Sequence, residues 1–313
     1  MLAYILRRLV ATIPVIIMVA VIVFAILRLT PGDPAAIIAG DNASAEQLQD
    51  LRRHMGLDQP IHTQFLVWSW QLLQGDLGRS LISNMPVSEM IAGRIGPTLA
   101  LASTTLILTL LTALPLGIVA AAQQGRLIDR AVMSVSVLGF SVPVFVTGYL
   151  LILLFSIKLG WFPVQGYTPL SEGFWPFLQR LVLPAVALST VYVALIARIT
   201  RSSIVEIMGE DFIRTARSKG LSEGGVLMRH ALGNAAVPII TIIGVGIGLL
   251  LSGVVVTESV FNLPGLGRLV VEAVLARDYP LIQGLILLFS LLYILINLVV
   301  DVLYTVFDPR IRY

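Results

Sequence analysis

Six long apolar runs dominate this sequence, and no water-soluble fold accommodates them. A bilayer core about 30 Å thick is crossed by a helix of about 20 apolar residues. Runs of that kind occupy residues 9–29, 98–122, 131–157, 181–197, 235–257 and 281–307. A chain that is 57% hydrophobic and only 12% charged cannot coat one globule with charge, because soluble domains carry about 25%. The expected architecture is therefore an all-α polytopic membrane protein, one domain with six transmembrane helices. The first run follows Arg7 and Arg8. It is too long for a secretory signal and lacks a small-x-small cleavage site, so it reads as a retained helix.

Orientation follows from the basic residues, since cytoplasmic loops carry the excess of Lys and Arg. One set of loops holds Arg7, Arg8, Arg126, Arg130, Arg198, Arg201, Arg214, Arg217, Lys219, Arg229, Arg310 and Arg312. The other set is roughly twice as long, yet carries fewer of the 21 Lys and Arg. Both termini are thus expected in the cytoplasm. Two loops exceed simple connections. The extracytoplasmic one, 30–97, offers Ser44 as an N-cap with Gln47 three residues on and Gly56 as a stop. A second helix is expected from Ile61 to Leu73, whose Phe65, Trp68 and Trp70 suit the membrane interface, either as an amphipathic segment or as an ordinary aromatic belt. The cytoplasmic loop, 198–234, is charged throughout and reads as a helix broken at Gly220.

Chemistry is excluded more readily than it is found. There is no Cys, and the three His, at 54, 62 and 230, all lie in loops. Thiolate metal sites, Cys nucleophiles and a membrane-embedded Ser–His pair are thereby removed. No Gly-x-x-x-x-Gly-Lys-Ser/Thr stretch exists to cradle phosphates, so the chain carries no ATPase and no cofactor of its own. The small charge excess makes nucleic acid an unlikely-looking partner on composition, and membrane lipid the natural one. Gly244 and Gly248 read as a helix-packing face rather than a dinucleotide fingerprint. The one acid inside a span is Asp301, with Asn297 a turn earlier. Such a group marks either a pathway or a structural bond. Pro14, Pro115, Pro143, Pro184 and Pro238 fall in the apolar runs and are expected to kink them.

The cytoplasmic loop carries a recognisable pattern. The run from Glu210 to Leu221, Glu-Asp-Phe-Ile-Arg-Thr-Ala-Arg-Ser-Lys-Gly-Leu, with Arg229-His230-Ala231-Leu232 and Asn234-Ala235 after it, resembles the "EAA" loop of permeases of binding-protein-dependent ABC importers. It is similar in particular to the peptide and nickel branch. Against the general pattern, Arg214, Thr215 and Ala216 stand where E-A-A would, and His230 and Gly233 replace Ile and Pro. Further matching stretches are Pro31-Gly32-Asp33-Pro34, Gly56-Leu57-Asp58-Gln59-Pro60, Gly75-Asp76-Leu77-Gly78 with Ser80, and Arg201-Ser202-Ser203. Near the end come Glu258-Ser259-Val260-Phe261, Leu263 to Gly267, Arg277-Asp278-Tyr279-Pro280 and Asp308-Pro309-Arg310-Ile311-Arg312.

The resemblance implies a type I ABC importer permease fold in a bacterial cytoplasmic (inner) membrane. It also implies a second homologous permease subunit, two ATPase subunits that hold ATP and Mg, and an extracytoplasmic solute-binding protein. Glu210, Asp211, Phe212, Arg214, Thr215, Ala216, Lys219 and Gly220 would form the coupling segment against the ATPase. Asn262, Leu263, Pro264, Gly265, Leu266, Gly267 and Arg268 would contact the binding protein as a gating loop. On physical grounds, acids at the start of the 210–220 helix and bases near its end complement its dipole, and Phe212, Ile213 and Ala216 offer an apolar face for a partner's groove or for the inner leaflet. Peptides lead the cargo classes, with dipeptides, oligopeptides, glutathione, opines and nickel complexes all carried by similar permeases. A nucleotide-independent channel and a purely structural membrane subunit are the alternatives from other classes.

Overall fold

The computed structural model describes residues 2–29, 35–36, 44–54 and 56–307. The Pro31–Pro34 and Asp308–Arg312 stretches lie outside the described residues. Apart from one isolated bridge between Arg79 and Pro86, the described backbone is helical or irregular, without strands. In chain order the principal helices are α1 (Leu2–Leu29), α2 (Ala45–His54), α3 (Ile61–Leu73), α4 (Val87–Ala122), α5 (Leu127–Ser141) and α6 (Val144–Leu151). They continue as α7 (Phe174–Met208), α8 (Asp211–Ser218), α9 (Ala236–Val260), α10 (Leu266–Leu275) and α11 (Tyr279–Phe307).

Among the described residues, α4, α7, α9 and α11 are long and apolar enough to cross a membrane, and a fifth crossing results if the bent α5–α6 pair counts as one span. The apolar stretch of α1, Val10–Ala25, is shorter. In the third apolar run the kink expected at Pro143 is a full break. The run breaks between Ser141 and Val144 with a bend of 100°. Val142 is extended, at φ −90° and ψ 123°, and Pro143 begins the next helix without an N–H to continue the ladder. Ser141 donates its hydroxyl back to the Val137 carbonyl at 2.8 Å. After Leu151 the chain runs on as a π-helical segment, Ile152–Lys158. Pro14, Pro115 and Pro184 are carried inside unbroken helices, and Pro238 sits in the first turn of α9, where a missing N–H costs nothing.

The chain divides into two compact units. The larger centres on Pro97–Arg268 and takes in part of the first and last helices; the smaller comprises Leu6–Gly96 and Leu269–Ile294. In the larger unit α7 is the axis, with Leu181, Leu188, Ile196 and Ile204 fully buried. Close approach to it depends on small residues, as expected where lipid supplies no hydrophobic drive between helices. A Cβ at Gly117 would stand 2.6 Å from Thr200 Cβ, and one at Gly253 would stand 2.6 Å from Leu188 Cδ1. Gly244 faces Val300 in the same manner, at 2.6 Å. The predicted Gly244–Gly248 face is thus realised at Gly244, while Gly248 is only half-buried and Gly246 supplies the neighbouring buried position.

In the smaller unit the anticipated capping box is present. Gln47 N donates to Ser44 Oγ at 3.2 Å and Ser44 N to Gln47 Oε1 at 3.0 Å, and Gly56 ends the helix region at φ +65°. Helix α3 begins and ends where the sequence places it.

Candidate functional site: the coupling segment and the gating loop

The 210–220 segment is a short helix standing on a packed base. After α7, Gly209 and Glu210 turn the chain and α8 starts at Asp211, whose carboxylate occupies the positive end of the helix. Arg217 lies in the last turn, at the opposite pole. Gly220 adopts φ +80°, its N–H bonding the Arg217 carbonyl at 2.9 Å, while Leu221 N–H reaches the Ala216 carbonyl at 3.4 Å. That pair of bonds is a Schellman closure, and its left-handed residue explains glycine at 220. Ser222 then caps the next helical stretch through its hydroxyl and Gly225 N–H at 3.3 Å.

The apolar face assigned to a partner's groove is corrected by the packing. Ile213 is fully buried and Ala216 nearly so, both inside a cluster of the chain's own Ile204, Val226, Ala231, Ala235 and Ile239. Of the three apolar residues only Phe212 remains exposed, beside Asp211, Arg214, Thr215, Ser218 and Lys219. The outward surface of α8 is therefore one aromatic ring among charges and hydroxyls, and its apolar side is what fixes it to the base. Helical periodicity identified the stripe but could not tell inside from outside.

Two ion pairs brace this segment. Arg217 grips Glu223 with Nε–Oε1 at 2.8 Å and Nη2–Oε2 at 3.1 Å, which clips α8 to the stretch after Gly220. The Arg217 hydrogen bonds hold the Glu223 carboxyl below its ordinary value and raise Arg217 in return. Nearer the helix axis, Arg201 meets Asp129 in a bidentate pair at 2.7 Å and 2.7 Å, and Gly125 N–H donates to the same carboxylate at 2.8 Å. Asp129 is buried. This fork ties the start of α5 to the end of α7 just before the coupling segment. The Arg201-Ser202-Ser203 match pointed to the stretch, but nothing in the local pattern names an acid 72 residues away.

At Asn262 to Arg268 the chain wraps around a carboxylate. Glu258, near the end of α9, is fully buried. Thr98 donates its hydroxyl to Glu258 Oε1 at 2.6 Å and accepts from Leu266 N–H at 2.7 Å, while Arg268 N–H donates to Oε2 at 3.0 Å. Leu263 N–H bonds the Glu258 carbonyl at 2.9 Å. Gly265 leaves the carboxylate the space it occupies, since a Cβ there would overlap Glu258, and a Cβ at Gly267 would stand 2.5 Å from Val255 Cα. Asn262 turns the chain at φ +52°, and its side chain bonds Arg268. The 262–268 loop is a folded plug with Leu263 and Leu266 inside. The sequence reading quoted Glu258 but gave it no role.

A third buried acid organises the smaller unit. Asp278 accepts from Ser80 Oγ at 2.5 Å and from Leu81 N–H at 3.1 Å, joining the Gly75–Ser80 and Arg277–Pro280 stretches, both of which the family resemblance had marked. Asp301 is half-buried and Asn297 exposed, and both are engaged rather than free. No group of three potential metal-binding side chains occurs among the described residues.

Comparison with known proteins now decides the family. A model described as binding-protein-dependent transport system inner membrane component matches residues 113–313, and the N-terminal model of the same systems matches residues 1–102. This chain belongs to that family of inner membrane components. Among its curated relatives is one named "Probable peptide ABC transporter permease protein y4tP" from Sinorhizobium fredii, 49% identical over 310 residues and 99% of each chain. Another, the glutathione transport system permease protein GsiC of Salmonella typhimurium, is 48% identical over 313 residues, the full length of both. Among solved structures, the MetNI methionine ABC transporter in inward-facing conformations aligns with a TM-score of 0.59 at 17% identity, covering 71% of this chain and 97% of that one. That likeness establishes a shared fold with ABC importer permeases. As an inner membrane component of a binding-protein-dependent system, the chain is a permease subunit.

Proposed function

We propose that this permease is one of two membrane subunits of an ATP-driven importer whose cargo is peptidic, with glutathione within that class. The observation that carries the reading is identity of 46–49% along the entire length to permeases named for peptide or glutathione transport. Six spans with both termini in the cytoplasm follow from the apolar runs and the basic loops, the bent α5–α6 pair counting as one span. The subunit is non-catalytic; ATP and Mg bind to two ATPase subunits. The exposed residues of α8, namely Phe212, Arg214, Thr215 and Lys219, meet the ATPase, while Ala216 and Gly220 set the helix on its base. Closure of the ATPase dimer displaces α8, and the Arg201–Asp129 fork passes that displacement into α5 and α7 together, so that the helices rock between inward and outward openings. The plug around Glu258 faces the solute-binding protein.

Uptake of a labelled peptide into proteoliposomes holding the four-subunit transporter tests the reading. Accumulation that requires both ATP and the binding protein supports it. Conductance by this chain alone, without nucleotide, overturns it in favour of a channel.

A further inference from the structure

Helix α3 carries no charged residue, and it is apolar on both of its sides. One side is covered. Phe65 and Trp68 close on Phe24 of α1, with ring centroids 5.2 Å and 5.6 Å from it, and Gln64 turns its amide to the Leu57 and Gln59 carbonyls at 3.3 Å and 2.8 Å. The opposite side is bare. Leu66, Trp70 and Leu73, spaced to share one face, are 65%, 63% and 80% exposed, and Val67 beside them is 50% exposed. Four large apolar side chains exposed together on one helix mark a contact surface.

What covers it is argued from three features. The bare face carries no Asp, Glu, Lys or Arg; its polar neighbours are His62, Thr63, Gln71 and Gln74, of the kind tolerated at a headgroup boundary. Trp70 supplies the amphipathic ring favoured there. The helix is also seated on an apolar neighbour: Phe24, against which its covered side packs, belongs to the apolar stretch of α1, whose Met18, Val21 and Ile22 are likewise exposed. A binding protein that departs in each cycle would leave this surface wet, and such departing partners dock on faces with a polar rim. Helix α2 next in the chain shows what a water-facing segment of this loop looks like, with Glu46, Asp50, Arg52 and Arg53 in ten residues.

We infer that α3 lies in the plane of the extracytoplasmic membrane surface, with Leu66, Val67, Trp70 and Leu73 seated in the lipid. The inference deepens the importer reading and rests on its placement of α1 across the bilayer. It makes the large outer loop a membrane-anchored collar, in which the stretch that grips Asp278 starts directly from a lipid-held helix.

The chain has no cysteine, so single cysteines can be introduced at Leu66→Cys, Leu73→Cys and Glu46→Cys, with Met18→Cys on α1 as the reference. Each is spin-labelled in the assembled transporter, with cysteine-free partner subunits, in lipid nanodiscs. Collision with oxygen, which concentrates in lipid, is compared with collision with a water-soluble nickel chelate. The expected result is lipid-type accessibility at 66, 73 and 18 and the inverse ratio at 46, unchanged when the binding protein is added. Water-type accessibility at 66 and 73 with lipid-type accessibility at 18 overturns the inference alone. Shielding of 66 and 73 from both reagents assigns the face to a protein partner and overturns it too. Water-type accessibility at 18 removes the membrane placement of α1 beneath it.

Discussion

Replacing Thr98 by Val should loosen the gating loop without altering the shape of its core. The two side chains are nearly isosteric, but Val neither donates to Glu258 nor accepts from Leu266. In the native loop those bonds measure 2.6 Å and 2.7 Å among residues that are essentially dry. An ordinary hydrogen bond contributes only about 1 kcal/mol net, whereas a buried partner left unsatisfied costs about 1–3 kcal/mol. Two partners are stranded here, a backbone N–H and one oxygen of a carboxylate whose other oxygen keeps the Arg268 N–H, so the local cost is about 2–4 kcal/mol. At about 1.4 kcal/mol per factor of ten, amide exchange at Leu266 should accelerate roughly 30-fold or more in the variant. Exchange at Asp278 and along α3, in the other compact unit, should not change. Thr98→Ser, which keeps the hydroxyl, should stay near the parent. Exchange by mass spectrometry in nanodiscs reads all three. If Leu266 in Thr98→Val is as protected as in the parent, the carboxylate does not hold the loop and the argument fails.

Three further expectations follow from the same structure. Asp129→Asn should destabilise the larger unit by about 1–3 kcal/mol, because a charge-assisted fork at 2.7 Å is lost while Arg201 stays three-quarters covered; thermal unfolding in detergent reports it, and an unchanged transition refutes it. Gly244→Val should cost about 1–3 kcal/mol through overpacking against Val300, whereas Gly93→Ala, with nothing within 4 Å, should be close to neutral by the same measurement. The Arg217–Glu223 clip should be insensitive to pH between 7 and 5. Because the folded carboxyl lies below its ordinary 4.5, the stabilisation is present above that value and is lost as pH falls below it toward the folded value. Exchange in the 211–225 stretch should show that acid loss in the parent and not in Glu223→Gln.

What the sequence makes legible here is local. The apolar runs locate the long helices, because twenty apolar residues leave few alternatives to a buried helix, but not their ends: α4 starts at Val87 and α7 runs on to Met208, each well outside its run. Ser44 with Gln47, and Gly220 after a basic turn, are short-range signals and appear as written. The bend at Pro143 was visible as a proline but not as 100°, since neighbouring helices decide whether a freed carbonyl kinks or breaks the span. The inward choice of Ile213 and Ala216 depended on Ile204, Val226 and Ile239, which no period within α8 reveals. The partners of Asp129 and Glu258 lie 72 and 160 residues away, so a buried acid with its donors supplied from another helix reads in sequence only as a charge near a span end. The resemblance to importer permeases marks these stretches, and geometry supplies which atoms meet.

The account's central claim is that α8 is the contact through which ATPase subunits drive this permease. Because Ala216 and Gly220 serve the chain's own packing and turn, the informative substitutions are on the exposed side, Phe212→Asp and Thr215→Glu. The tagged chain is purified in mild detergent from cells producing all the subunits, and its partners and thermal stability are measured together. The account predicts that the parent brings down a second permease and the ATPases, and that the double variant keeps its fold and the second permease while losing the ATPases. Retention of the ATPases by the folded double variant would contradict it.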